Sequence, residues 1–402
     1  TTKDRVDDRD ETPGTHPCPR QVTPRRSGRH NPPRAHRWIE AKAFSVIHPN
    51  THVNMGQSTN DVLPAAVQLA THDMITRVAD SVAELVQVTG LKAAEFADVV
   101  KLGRTCLQDA LPVTLGQEFS GYRDMLARQE GRLRALGGDL LVLGLGGTAV
   151  GTGVGTLPGF VPTVYELLRS EIGLPVDANP NLFDAMQNAD VYLQASAAMK
   201  SLACGLSKMS SDLRIMSSGP RGGLAEIVLP PVLPGSSIMP GKVNPALPEL
   251  MIQIYFQVCG NDLAITLAVE RGELELNVWE AVVHKNLAEA AQLLAAGTKL
   301  FAERCVAGIT ANRERNRSMA TSSLALAAVV SAVHGYEVGT EVAVNAASTR
   351  RSIHEVAEER GLFSHEAATE LLDPMSLVDA TSMANLLAGQ RSPDQDAARQ
   401  LG

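Results

Sequence analysis

Residues 245–305, PALPELMIQIYFQVCGNDLAITLAVERGELELNVWEAVVHKNLAEAAQLLAAGTKLFAERC, keep apolar residues at helical spacing almost throughout. A pattern sustained over that length predicts two long helices, broken near Gly272, with Pro248 suited to a first helical turn. Helices this long bury their apolar stripes only against partners of similar length. Such partners are present. Leu69, Met74, Val78, Val82 and Leu85 mark a helix with Gly90 as its expected stop, and Leu115, Phe119, Tyr122, Leu126 and Leu133 mark another up to Gly137. DAMQNADVYLQASAAMKSLACGLSKMSSDLRIM reads as a third. Aromatic residues make up only 4% against 44% hydrophobic, so Ala, Leu and Val must fill the core, as in a helical bundle. Strand-like alternation is scarce. The expected fold is mainly α: a long central helical bundle followed by a small C-terminal helical domain.

Three segments are expected. Residues 1–40 hold six of the 22 prolines and only Val6, Val22 and Ile39 of the aliphatic type, which predicts disorder. Residues 41–303 form the central domain and residues 304–402 the C-terminal one. The first 40 residues carry a net charge of +3, so the remainder holds −11 of the overall −8. An acidic body argues against broad nucleic-acid binding, which requires phosphate neutralisation. No apolar run approaches the roughly 20 residues that span a bilayer, and no secretory signal is evident. Five cysteines without a CxxC spacing suggest neither a zinc site nor a disulfide framework. A soluble protein of the reducing cytoplasm is expected, with no membrane or nucleic-acid partner, no metal and no cofactor.

Polar residues gather in three loops. In GQSTND, Ser58, Thr59 and Asn60 precede a helix, where alone they read first as an N-cap, and by the same physics as a carboxylate site. GRTCLQDALPVTLGQEF places Thr105 and Cys106 ahead of another helical run. GSSIMPGKVNP, residues 235–245, has a composition that neither helix nor strand favours. It is not a P-loop: five residues rather than four separate its glycines, and Val243 follows Lys242. LLVLGLGGTA likewise fails as a dinucleotide fingerprint, because further glycines and Pro158 follow where a helix should begin.

GSSIMPGKVNP resembles the signature of the fumarase/aspartase superfamily. HPNTHVNMGQSTNDVLPAA, GRTCLQDALPVTLGQEF, GGTAVGTG and DLRIMSSGPRGGLAEI are similar to its other blocks, in the same order. The resemblance implies a nearly all-α protomer of three domains, a homotetramer, and active sites drawing loops from three subunits. The N-terminal domain of the family is expected to be truncated or replaced here. Neither a GSGT-like nor an NMNxNEV-like block occurs in residues 1–40, whose composition reads as another frame joining the pattern near Phe44 and Val46.

The implied chemistry removes a proton beside a carboxylate of a small dicarboxylate, giving an aci-carboxylate whose growing charge needs fixed donors. By the resemblance Ser236 is the base. Ser237, Ser58 and Thr59 bind the carboxylate that becomes the aci form, and Lys242 and Asn244 hold the other. Asn60 and Thr105 contact the departing group, and Glu249 partners Cys106. NPALPE and ELELNVWEAV look closer to aspartases, whereas GQEFSGY and the glycine of MPGK lean to fumarases; Cys106 is atypical of both. Aspartate ammonia-lyase is the expected activity, with fumarate hydratase or a catalytically inactive truncated member as alternatives.

Overall fold

The computed structural model describes residues 44–381 and 383–384. The expected disorder of residues 1–40 lies outside them. Contacts divide the chain between Val53 and Asn54. In the first unit a π-helical turn, Pro49–Val53, is closed by His48, whose carbonyl accepts from the His52 N–H at 3.0 Å.

The second unit is built on long helices. α1 (Thr59–Glu95) is followed by strands β1 (Val100–Thr105) and β2 (Gln108–Thr114), then α2 (Leu115–Asp139). Strand β3 (Val142–Leu143), α3 (Phe160–Ile172), β4 (Asp177–Ala178) and α4 (Leu182–Gln187) lead to α5 (Asp190–Met216) and β5 (Ile227–Val228). Then come α6 (Ala246–Val269), α7 (Glu280–Arg304), β6 (Thr310–Ala311) and α8 (Arg313–Thr321). α9 (Ala327–His334), α10 (Tyr336–Thr349), α11 (Ile353–Glu359) and α12 (His365–Leu371) complete the described α-helices. The fold is a mainly α helical bundle. α1 packs on α2 and α7, and α6 packs on α5 and α7.

The core confirms the helical spacing. Val78, Val82, Leu85, Leu115, Phe119, Leu126, Leu133, Leu202, Leu206, Leu287 and Leu294 are all fully buried in one cluster. A second core, within residues 326–372, shares no residue with the first.

Three local expectations are corrected. α1 runs past Gly90 to Glu95, because packing against α2 and α7 outweighs a penalty of about 1 kcal/mol for a helical glycine. The segment read as one helix from Asp184 is two: Asn188 turns extended, with φ −105° and ψ 136°, before α5 begins. Thr105 and Cys106 do precede α2, but they are separated from it by strand β2 of an antiparallel hairpin that was not expected. Its pairing shifts register between Leu102 and Arg104, a bulge where a Cβ on Gly103 would stand 2.3 Å from the Leu111 carbonyl.

This order of elements gives the bundle two ends. The hairpin leaves the end of α1 and enters the start of α2, where Thr114 and Gln117 form a capping box. The end of α5 meets it through Met216, whose sulfur lies 3.3 Å from Lys101 Nζ. The start of α6 is there too, since Arg214 and Glu249 approach to 3.4 Å. At the opposite end Tyr192, in the first turn of α5, donates to the Pro64 carbonyl near the start of α1 at 2.8 Å. With 37 residues at 1.5 Å each, α1 separates the two ends by about 55 Å.

Candidate active site

Ser58, Thr59 and Asn60 lie at the start of α1, the end marked by Tyr192. Ser58 is the N-cap of α1: its Oγ accepts from the Asn60 N–H at 3.2 Å, and its own N–H donates to Asp61 Oδ1 at 2.9 Å. Asn60 Nδ2 donates to the Ala149 carbonyl at 2.9 Å, joining this turn to the glycine-rich loop of residues 144–153. Asp61, at 1% exposure, accepts at Oδ2 from the N–H groups of Gly146 and Thr148, both at 3.0 Å. The positive end of a 37-residue helix, flanked by two hydroxyls and an amide, suits a carboxylate.

Thr105 and Cys106 lie at the other end, exposed at the hairpin tip. Cys106 and Leu107 both have positive φ, 51° and 62°, as a two-residue turn between twisted strands requires. Neither residue is glycine or asparagine, so the turn is strained. It is anchored from below. Arg104 Nη1 lies 2.6 Å from Glu226 Oε1, and Lys101 Nζ lies 3.0 Å from Glu226 Oε2 and 2.7 Å from Glu118. Glu226 is completely buried.

Nine residues after Glu226 the chain enters the loop of residues 235–245, at the same end. Ser236 Oγ accepts from the backbone N–H of Met239 at 3.1 Å and of Ile238 at 3.3 Å. The Ser236 N–H donates to the Lys242 carbonyl at 2.9 Å, and the Lys242 N–H to the Met239 carbonyl at 3.1 Å, so the loop closes on itself. Lys242 Nζ donates to Asn244 Oδ1 at 2.6 Å. Ser237, Lys242 and Asn244 are exposed to solvent. Glu249 is in the first turn of α6 and pairs with Arg214, not with Cys106.

One chain therefore places Ser58, Thr59 and Asn60 at one end, and Thr105, Cys106, Ser236, Ser237, Lys242, Asn244 and Glu249 at the other, where among the described residues no hydrogen bond or ion pair joins Thr105 or Cys106 to the rest. Among the described residues no hydrogen bond or ion pair joins the first group to the second. A cleft lined by Pro64, Tyr192 and Glu280 and another lined by Lys101, Arg104 and Glu226 include none of the ten. The supporting residues Asp61 and Glu226 were not singled out from the sequence. The signal for Asp61 was present, an acid three residues after Ser58 as in a capping box. Glu226 stands as a lone charge in LAEIVL, which marks a buried ion only once its partners are known.

The family model described as "Lyase" matches residues 22–260, and that described as "Fumarase C C-terminus" matches residues 326–379. The chain belongs to the fumarase/aspartase superfamily. Within the superfamily, an aspartate ammonia-lyase from Bacillus sp is 43% identical over 334 residues, 83% of this chain and 71% of that protein. A class II fumarate hydratase from Mycobacterium tuberculosis is 41% identical over 355 residues, 88% of this chain and 75% of that one. Among solved superfamily structures, a fumarate lyase:delta crystallin from Brucella melitensis bound to cobalt superposes with a TM-score of 0.82. It is 41% identical, over 84% of this chain and 73% of that one.

Proposed function

We propose that this chain is an aspartate ammonia-lyase, eliminating ammonia from L-aspartate to give fumarate. The observation that carries the reading is Ser236, whose hydroxyl oxygen sits under two backbone N–H groups. A serine is a weak base in water. Donors already aimed at its oxygen favour the alkoxide, which can then take a proton from carbon.

Ser236 Oγ removes the proton from C3 of aspartate, and the electron pair moves into the adjacent carboxylate to give the aci form. Ser58, Thr59 and Ser237 hydroxyls donate to that carboxylate as its charge doubles, while Lys242 and Asn244 hold the other one. Collapse of the aci form breaks the C2–N bond. The amine leaves past Asn60 and Thr105, with Cys106 and Glu249 beside it, and Ser236 returns its proton to water.

The two groups of residues stand about 55 Å apart along α1, so a complete site needs more than one copy of the chain. We infer a homotetramer in the cytoplasm, with the 41–303 domain carrying the loops and 304–402 forming a separate helical domain. The separate apolar core within residues 326–372 supports that division.

Absorbance at the fumarate band after addition of L-aspartate tests the reading, and Ser236→Ala should abolish the rise while assembly persists. Full activity of Ser236→Ala removes Ser236 as the base. The 41% identity to a fumarate hydratase favours a second reading, in which the band rises with malate and not with aspartate. Silence with both from an assembled protein identifies a catalytically inactive member.

A further inference from the structure

Asp61 accepts three backbone hydrogen bonds while 1% exposed. A capping acid ordinarily needs only the bond from its own N-cap. Here that bond uses Oδ1, and Oδ2 reaches 85 and 87 residues along the chain to the Gly146 and Thr148 N–H groups. A negative charge beside a site for a dicarboxylate opposes binding, so its presence calls for a positional reason.

Thr148 supplies one. Its φ is 55°, a left-handed conformation that a β-branched residue leaves unless held. Its hydroxyl is buried and has no partner, so the side chain does not hold it. The N–H bonded to Asp61 does. The next residue, Ala149, offers its carbonyl to Asn60 Nδ2. A carbonyl only accepts, so the amide nitrogen of Asn60 must face it and the amide oxygen remains for the site. An oxygen acceptor is what an ammonium leaving group, with its N–H donors, requires.

We propose that Asp61 is a positioning residue. It pins the Thr148 turn, and through Ala149 it fixes Asn60 with its oxygen towards the departing amine. The inference rests on the assignment of Asn60 to that amine.

The test uses Asp61→Asn, Asn60→Ala and their double variant in the full chain, with kcat and KM for aspartate and amide exchange by mass spectrometry. Asp61→Asn should lower kcat/KM by about ten- to a hundred-fold, the range for losing an ionic hydrogen-bond acceptor. The double variant should be no worse than Asn60→Ala alone, since the first acts through the second. Exchange at residues 146–149 should quicken while residues 190–216 stay protected. Adding Thr148→Gly to Asp61→Asn should recover activity, because glycine adopts a positive φ at no steric cost. An additive double variant, or no rescue by glycine, overturns the proposal. If Asp61→Asn does not fold, Asp61→Glu replaces it under the same criteria. If the unmodified chain turns over no aspartate, the assigned reaction fails; the exchange arm then decides, quickened exchange supporting the Asp61 latch and unchanged exchange overturning it.

Discussion

Glu226 has zero exposure and lies between two cations, Lys101 at 3.0 Å and Arg104 at 2.6 Å. Its backbone is equally engaged: the N–H donates to Met216 O at 2.8 Å, and the carbonyl accepts from the Asn312 N–H at 2.9 Å and from Asn316 Nδ2 at 2.7 Å. One residue thus ties β1 to the end of α5 and to α8. A buried ion pair need not be net stabilising, but removing one partner leaves the others charged and dry. Glu226→Ala should cost about 3–5 kcal/mol, read as a lowered urea midpoint. Glu118, 28% exposed, pairs with Lys101 at 2.7 Å and accepts a longer bond from the Tyr122 hydroxyl at 3.4 Å, so Glu118→Ala should cost visibly less. Equal losses would mean that water reaches the Glu226 site.

At the scale of elements, the join between α1 and α2 is close. The Leu115 N–H donates to Val99 O at 2.8 Å and the Gly116 N–H to Phe96 O at 3.0 Å. A Cβ on Gly116 would lie 2.5 Å from the Ala93 carbonyl and 2.8 Å from the Ala97 backbone, neither of which can rotate away. Gly116→Ala should lose about 1–3 kcal/mol by overpacking. Gly121→Ala, in the same helix with nothing within 4 Å, should be neutral or gain up to about 1 kcal/mol. Similar outcomes for the two would refute the steric account.

The long helices were legible because burial of a stripe imposes its period on the sequence. The hairpin was not, because the bulge at Gly103 breaks the alternation and Cys106 and Leu107 give no turn signal. The turn ahead of α1 and the loop of residues 235–245 were legible as such, and their roles only through the resemblance. Their supports were not, because Asp61 and Glu226 act on residues 85 and 122 positions away in the chain.

At the scale of the whole molecule, α1 holds the two groups of site residues apart. A site shared between copies predicts complementation. Thr59→Ala and Ser236→Ala, each inactive alone, should regain about a quarter of full activity when unfolded together and reassembled in equal amounts, since each site then draws each loop intact half the time. No recovery from a properly assembled mixture would place both groups in one chain's site and contradict the separation along α1.

The same bundle closes late. Lys92, near the end of α1, donates to the Ile309 carbonyl, 217 residues further on. A ribosome adding about 5–20 residues per second needs roughly 10–40 s to make that stretch. Until then the face of α1 that will meet α7 has no cover from its own chain. The nascent protein therefore displays an apolar ridge while still tethered, and α2, arriving through the hairpin, shields only one side of it. During synthesis this face is a natural client for a chaperone, well before any finished subunit can offer a loop to a neighbour.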